Sequence, residues 1–70
     1  MKKQTTFFFN GEEYYTNSPI SLLELLNYFD YSSSLFVVEY NNFICDKTKW
    51  HTTQIQKNDS IEIITIVGGG

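Results

Sequence analysis

The sequence predicts an α+β domain, a mixed sheet of about four to five strands packed on one main helix. Three observations predict it. The chain opens with two β-branched and aromatic runs joined by Asn10-Gly11, carries a single apolar stripe at helical spacing, and closes on an isoleucine-rich run of strand character. With one helix to cover it, the sheet buries one face and leaves the other to solvent.

The runs TTFFFN (Thr5 to Asn10) and EEYYTN (Glu12 to Asn17) flank an Asn-Gly pair, whose two residues both tolerate positive φ, so the chain begins as a β-hairpin. Ser18 is the expected helix cap, with Pro19 at the first helical position, where its missing N–H leaves nothing unpaired. Leu22, Leu25, Leu26 and Phe29 recur at i, i+3, i+4 and i+7, with Ser21, Glu24 and Asn27 off that stripe, giving roughly three turns with one core face. The YSSS stretch ends the helix. Leu35 to Tyr40 (LFVVEY) reads as a strand, Asn41-Asn42 as a turn and Phe43 to Cys45 as a short partner strand. DKTKWHTTQIQ has no clean period; a turn of helix is expected around Lys47 to Trp50, with Trp50 and Ile55 anchoring the segment to the core. Lys57-Asn58-Asp59 is turn chemistry, Asn58 tolerating the left-handed conformation, and it launches the last strand, SIEIITIV.

Seventy residues make one domain, read as 1–67, followed by a glycine tail at 68–70. Hydrophobic residues at 41% and aromatics at 17% suffice for a core and argue against disorder. Eight acidic residues against five lysines, the latter split between Lys2/Lys3, Lys47/Lys49 and Lys57, give a net charge of −3 and no concentrated basic face, which argues against nucleic acid as a partner. One cysteine precludes an internal disulfide, and no Cys/His spacing suits a metal site, in keeping with a reducing compartment. The opening MKKQTTFFFNGEE is too briefly apolar for a signal-peptide core or a membrane span, so a cytoplasmic protein is expected. The lack of arginine and alanine, with abundant Phe, Tyr, Ile, Asn and Lys, points to AT-rich coding and raises the hypothesis of a plastid gene and a stromal product, which sequencing the surrounding locus tests.

In the last strand Ile61, Ile63, Thr65 and Val67 share one side, and Glu62, Ile64 and Ile66 the other. Phe8 likewise opposes Phe7 and Phe9. Phe8, Ile64 and Ile66 are therefore expected on the solvent face as a docking surface beside the tail, the alternative being scattered surface hydrophobes or a central strand covered by loops. Glu62 and Asp59 are candidates for pairing with a basic patch on a partner, a role that governs chiefly on-rate and specificity. Cys45, without a designated base, reads as a small core residue rather than a nucleophile, and a lone His51 makes no metal site.

Taken together, FFFNG, SLLELL, VVEYNN, Trp50, NDSIEI and the terminal VGGG resemble the ThiS family, the small sulfur carrier of thiamine biosynthesis. The resemblance covers the whole chain, and Asp59, the isoleucine-rich strand and the final Gly-Gly are its most specific part. Where that family usually has Gly-Asp, this chain has Asn58-Asp59. The resemblance implies a β-grasp, ubiquitin-like fold and a protein cosubstrate rather than an enzyme, monomeric when free and binding no cofactor itself. It implies that the Gly70 carboxylate is adenylated with ATP by a ThiF-like adenylating enzyme. A thiocarboxylate then forms, with sulfur from a donor such as a cysteine desulfurase, and is passed to a ThiG-like thiazole synthase. Gly69 belongs to the same motif and Gly68 extends it.

The chemistry of the ending agrees. A carboxylate is a poor electrophile until its oxygen becomes a leaving group, and glycines admit a bare backbone to a narrow site. Four alternatives stay open from the residues alone: the small subunit of molybdopterin synthase, a ubiquitin-like modifier joined to target lysines, a binding module whose tail is incidental, and a truncated linker.

Overall fold

The computed structural model describes residues 4–31 and 35–65. They form strands β1 (Thr5–Phe9) and β2 (Glu12–Thr16), helix α1 (Leu22–Tyr28), strands β3 (Phe36–Tyr40) and β4 (Phe43–Cys45), a 3₁₀ turn (Lys47–Lys49), and strand β5 (Ser60–Thr65). The strands make one sheet in the order β2-β1-β5-β3-β4. β5 runs parallel to β1 on one side and antiparallel to β3 on the other, so the last strand in sequence is central in space. The expected mixed sheet with one helix is the architecture found.

Two hairpins rest on left-handed turn residues. Asn10 and Gly11 have φ of 52° and 83°, and Asn41 and Asn42 have φ of 53° and 74°, the paired positive values that let a two-residue turn follow the strand twist. The first turn sets the register Phe9↔Glu12, Phe7↔Tyr14, and the second sets Tyr40↔Phe43, Val38↔Cys45. One residue of slip would turn every side chain to the opposite face.

The helix begins later than the sequence suggests. Ser18 and Pro19 do not start it. The segment before it is held extended: Ile55 N–H donates to the Ile20 carbonyl at 3.0 Å, Leu22 N–H to the Thr53 carbonyl at 2.7 Å, and Ser21 bridges Gln54. Ser18 instead exchanges local bonds with Thr16. The cap is Ser21, whose Oγ accepts from Glu24 N–H at 3.1 Å while Glu24 Oε1 accepts from Ser21 N–H at 2.8 Å, a complete capping box. The helix therefore has seven residues, about two turns rather than three. Ser21, expected off the core stripe, is buried by its pairing with the 53–55 segment.

Leu22, Leu25 and Leu26 enter the core, joined by Phe7, Phe9, Val38, Trp50, Ile55 and Ile61. Phe9 stacks on Phe29 with centroids 4.6 Å apart, and Trp50 on Phe36 at 5.6 Å. Trp50 also donates its indole N–H to the Cys45 carbonyl at 3.0 Å, giving the buried ring its polar partner. Cys45 is half-buried on the core side, as expected of a small core residue.

The two cap readings separate in urea denaturation. Ser21→Ala is expected to cost about 1 kcal/mol, the usual cap penalty, seen as a lower midpoint at unchanged slope, whereas Ser18→Ala stays within about 0.5 kcal/mol.

Candidate functional site

The functional expectations converge on β5, because it leads toward the C-terminus. Its start is fixed by Asp59, which is 6% exposed. A charge removed from water must be met by donors. Here three segments supply them: the Tyr40 hydroxyl at the end of β3 donates to Oδ2, Asn41 Nδ2 donates to Oδ1 at 2.9 Å, and Gln56 N–H donates to Oδ2 at 2.6 Å. Asn58, with φ of 67°, makes the left-handed step that points the next carboxylate inward. Asn41 extends the latch, taking Ser60 N–H on its Oδ1 at 2.8 Å and donating its own N–H to the Ser60 carbonyl at 2.8 Å.

On the other flank, β1 holds β5 by Phe8 N–H to the Asp59 carbonyl at 2.8 Å and Asn10 N–H to the Ile61 carbonyl at 2.9 Å. Ladder pairing with β1 ends at Phe9↔Ile61. Asn10 then reaches across with its side chain, Oδ1 accepting from Ile63 N–H at 2.9 Å. Beyond that point, among the described residues, only β3 pairs with β5, through Val37↔Ile64 and Phe36↔Thr65. β5 is thus gripped on both sides at its root and on one side at its exit.

Asp59 was a candidate for a basic patch on a partner, and its placement corrects that reading. Its carboxylate is inside and already accepts three hydrogen bonds, so it fixes β5 and presents no charge outward. Glu62 and Ile64 do lie on the open face, Ile64 at 40% exposure, and so does Phe8 at 36%. They do not form one patch. Phe8 stands level with Ser60, four residues from Ile64 along β5, or about 13 Å. Between them runs a row containing Glu62, Glu39 opposite it on β3, and Ile44 opposite Glu39 on β4. Ile64 instead neighbours Val37. Val37, Glu39 and Ile44 escaped the sequence reading, although the alternation of FVVEY with FIC carries the signal. Ile66 and the glycines Gly68, Gly69 and Gly70 lie outside the described residues.

Burial raises the Tyr40 hydroxyl well above the ordinary tyrosine value, helped by its hydrogen bond to the Asp59 carboxylate and by the negative charge there. Among the described residues no group of His, Cys, Asp and Glu could hold a metal ion, and no helix is long and apolar enough to cross a membrane.

A mixed five-stranded sheet holding one helix, with its last strand central, defines the β-grasp class. The chain matches the ThiS family over residues 7–70 and belongs to it. That family comprises small sulfur carriers of thiamine biosynthesis rather than catalysts. The crystal structure of the thiamine biosynthesis protein ThiS from Geobacter metallireducens superposes with a TM-score of 0.80 at 20% identity, covering 94% of this chain and all of that one, which is a likeness of fold. Relatives called ycf40 are more similar in sequence: that of Trieres chinensis is 65% identical over 65 residues, covering 93% of this chain and 89% of its own, and that of Porphyra purpurea is 40% identical over 70, covering 100% and 99%.

The Tyr40–Asp59 contact gives a pH signature. The folded state keeps Tyr40 protonated, while the unfolded chain ionises it near pH 10. Its contribution is therefore intact below about pH 10 and is lost as pH rises above that value. Tyr40→Phe is expected to flatten the alkaline fall in stability, read as thermal midpoint against pH, with the two curves converging at high pH; parallel curves would exclude the contact as the cause.

Proposed function

We propose that this protein carries sulfur on its C-terminal glycine for thiazole formation in thiamine biosynthesis. The observation that carries the reading is membership of the ThiS family over residues 7–70, together with the end of the sequence in Gly68-Gly69-Gly70. A ThiF-like enzyme binds the carrier and ATP. The Gly70 carboxylate oxygen attacks the α-phosphorus, pyrophosphate leaves, and the acyl adenylate is the activated electrophile. The outer sulfur of a persulfide on a desulfurase-type donor attacks the acyl carbon, AMP leaves, and a reducing thiol cleaves the resulting acyl disulfide, taking the donor sulfur into a disulfide and leaving a thiocarboxylate, which a ThiG-like thiazole synthase consumes. The carrier contributes geometry: a root of β5 fixed by Asp59 and Asn10, and glycines slim enough to thread an active site.

The open sheet face is the proposed docking surface, with Ile64, Val37 and Ile44 as apolar contacts, Phe8 at the far end, and Glu62 beside Glu39 as the charged pair. Ile66 and Gly68 are proposed as further partner contacts. Two glutamates directly opposite each other destabilise a free sheet. A basic side chain on the adenylating enzyme or the synthase would relieve them, and among the described residues no strand of the sheet carries a lysine. The coding bias and the ycf40 relatives support a plastid stromal site over a cytoplasmic one, and recovery of the protein in washed plastids tests this.

Intact-protein mass spectrometry after incubation with ATP, a sulfur donor and the adenylating enzyme is expected to show replacement of one oxygen by sulfur, absent from a chain lacking Gly70. Conjugates of larger mass, with no sulfur gain, would point to a modifier instead. For the docking face, Glu62→Lys is expected to stabilise the free carrier by roughly 0.2–1 kcal/mol while slowing association, and Ile64→Glu to weaken binding about tenfold. Unchanged binding by both variants would remove the face from the account.

A further inference from the structure

The edge of the sheet opposite β4 has an unused binding geometry. β2 is the terminal strand, and the two-residue turn makes Phe9↔Glu12 and Phe7↔Tyr14 the hydrogen-bonded pairs. The backbone N–H and C=O of Glu13 and Tyr15 therefore face away from β1, and among the described residues neither has a backbone partner on that side. Below this edge, between β2 and α1, lies a cavity of about 390 Å³. The rings of Tyr14, Tyr28 and Phe29 line it, with the Glu24 side chain at its margin. Tyr28 is 82% exposed, a high exposure for a ring that lines a groove.

Charge selects the occupant. No lysine or arginine occurs between Lys3 and Lys47, so the hairpin and helix that build the groove carry only Glu12, Glu13, Glu24 and Asp30. Glu12 is tied into the wall, accepting from the Tyr14 hydroxyl at 3.0 Å. Aromatic faces beside carboxylates attract cations twice over, through the ring quadrupole and through the formal charge. A second copy of this chain would bring like charges together across the same edge.

We propose that the β2–α1 groove binds an extended, lysine- or arginine-bearing segment of a partner protein, which adds as a sixth strand to β2. Its backbone bonds to Glu13 and Tyr15, giving affinity without sequence demand, and alternate side chains fall on opposite faces of the added strand. One set lies in the groove against Tyr14, Tyr28 and Phe29 under Glu24. The other passes beside Glu13. The groove itself lies on the helix side of the sheet, away from Glu62 and Ile64, and only the second set of side chains reaches the open face, at Glu13.

The test is an NMR titration of the full chain with a blocked heptapeptide alternating valine with lysine and arginine, and with a matched peptide bearing glutamates. Saturable amide shifts are expected at Glu13, Tyr15, Ile20 and Tyr28 with the basic peptide only, weakening as salt rises. Tyr28→Ser, an exposed and fold-neutral change, is expected to weaken binding about fivefold, the scale of a cation–π contact. Removing Gly69 and Gly70 leaves it unchanged, so failure of the sulfur-carrier reading and failure of this one are distinguishable. Equal shifts with the acidic peptide, shifts confined to β4 or the open face, or concentration-dependent β2 shifts without peptide would each overturn the proposal, the last in favour of self-association.

Discussion

A carboxylate taken out of water needs donors around it, and Asp59 draws its donors from β3, from the turn after β3 and from the segment preceding β5. The Tyr40 and Asn41 donors lie 19 and 18 positions away and close long loops, whereas Gln56, three positions away, completes the local turn, so the set depends on β3 being in place. Breaking such a set costs more than the sum of its bonds suggests, because an unpaired charge would remain buried. The central strand starts where this carboxylate sits. Its registers against β1 and β3 follow from that start, and Ile61 is thereby delivered to the core with no exposure.

The same constraint explains how β5 is held along its length. A strand held by two neighbours is stiff, and β5 has two neighbours up to the point where Asn10 caps its inner flank at Ile63. After that, among the described residues, β3 alone pairs with it. The chain belongs to the ThiS family of small sulfur carriers, and its central strand is paired on both flanks near its start and on one flank further along.

Much of this was legible in the residues. Asn10-Gly11, Asn41-Asn42 and Asn58 each mark a left-handed turn because their side chains or lack of one tolerate positive φ, and the leucine stripe of α1 follows from period alone. The start of the helix was not legible: Ser18-Pro19 is a sound local signal, overridden by pairing of residues 20–22 with 53–55, contacts more than thirty positions away. Asp59 shows the same limit. An aspartate in a turn reads as a surface charge until two remote donors, Tyr40 and Asn41, join the local Gln56 N–H around it. The open face was half-read for a related reason, since alternation tells which side of β5 a residue takes but not which strand lies next to it. Only the pairings with β3 and β4 reveal that Glu62 stands beside Glu39 and that Phe8 is remote from Ile64.

Amide hydrogen exchange on Asp59→Asn tests this dependence directly. The account predicts that protection falls together at Gln56, Ser60, Phe8 and Asn10, which span the latch and the β1–β5 junction, while the Tyr14 amide in the β1–β2 hairpin keeps its protection. Loss confined to Gln56, the amide that donates to the carboxylate itself, would contradict it and reduce Asp59 to a local turn-former.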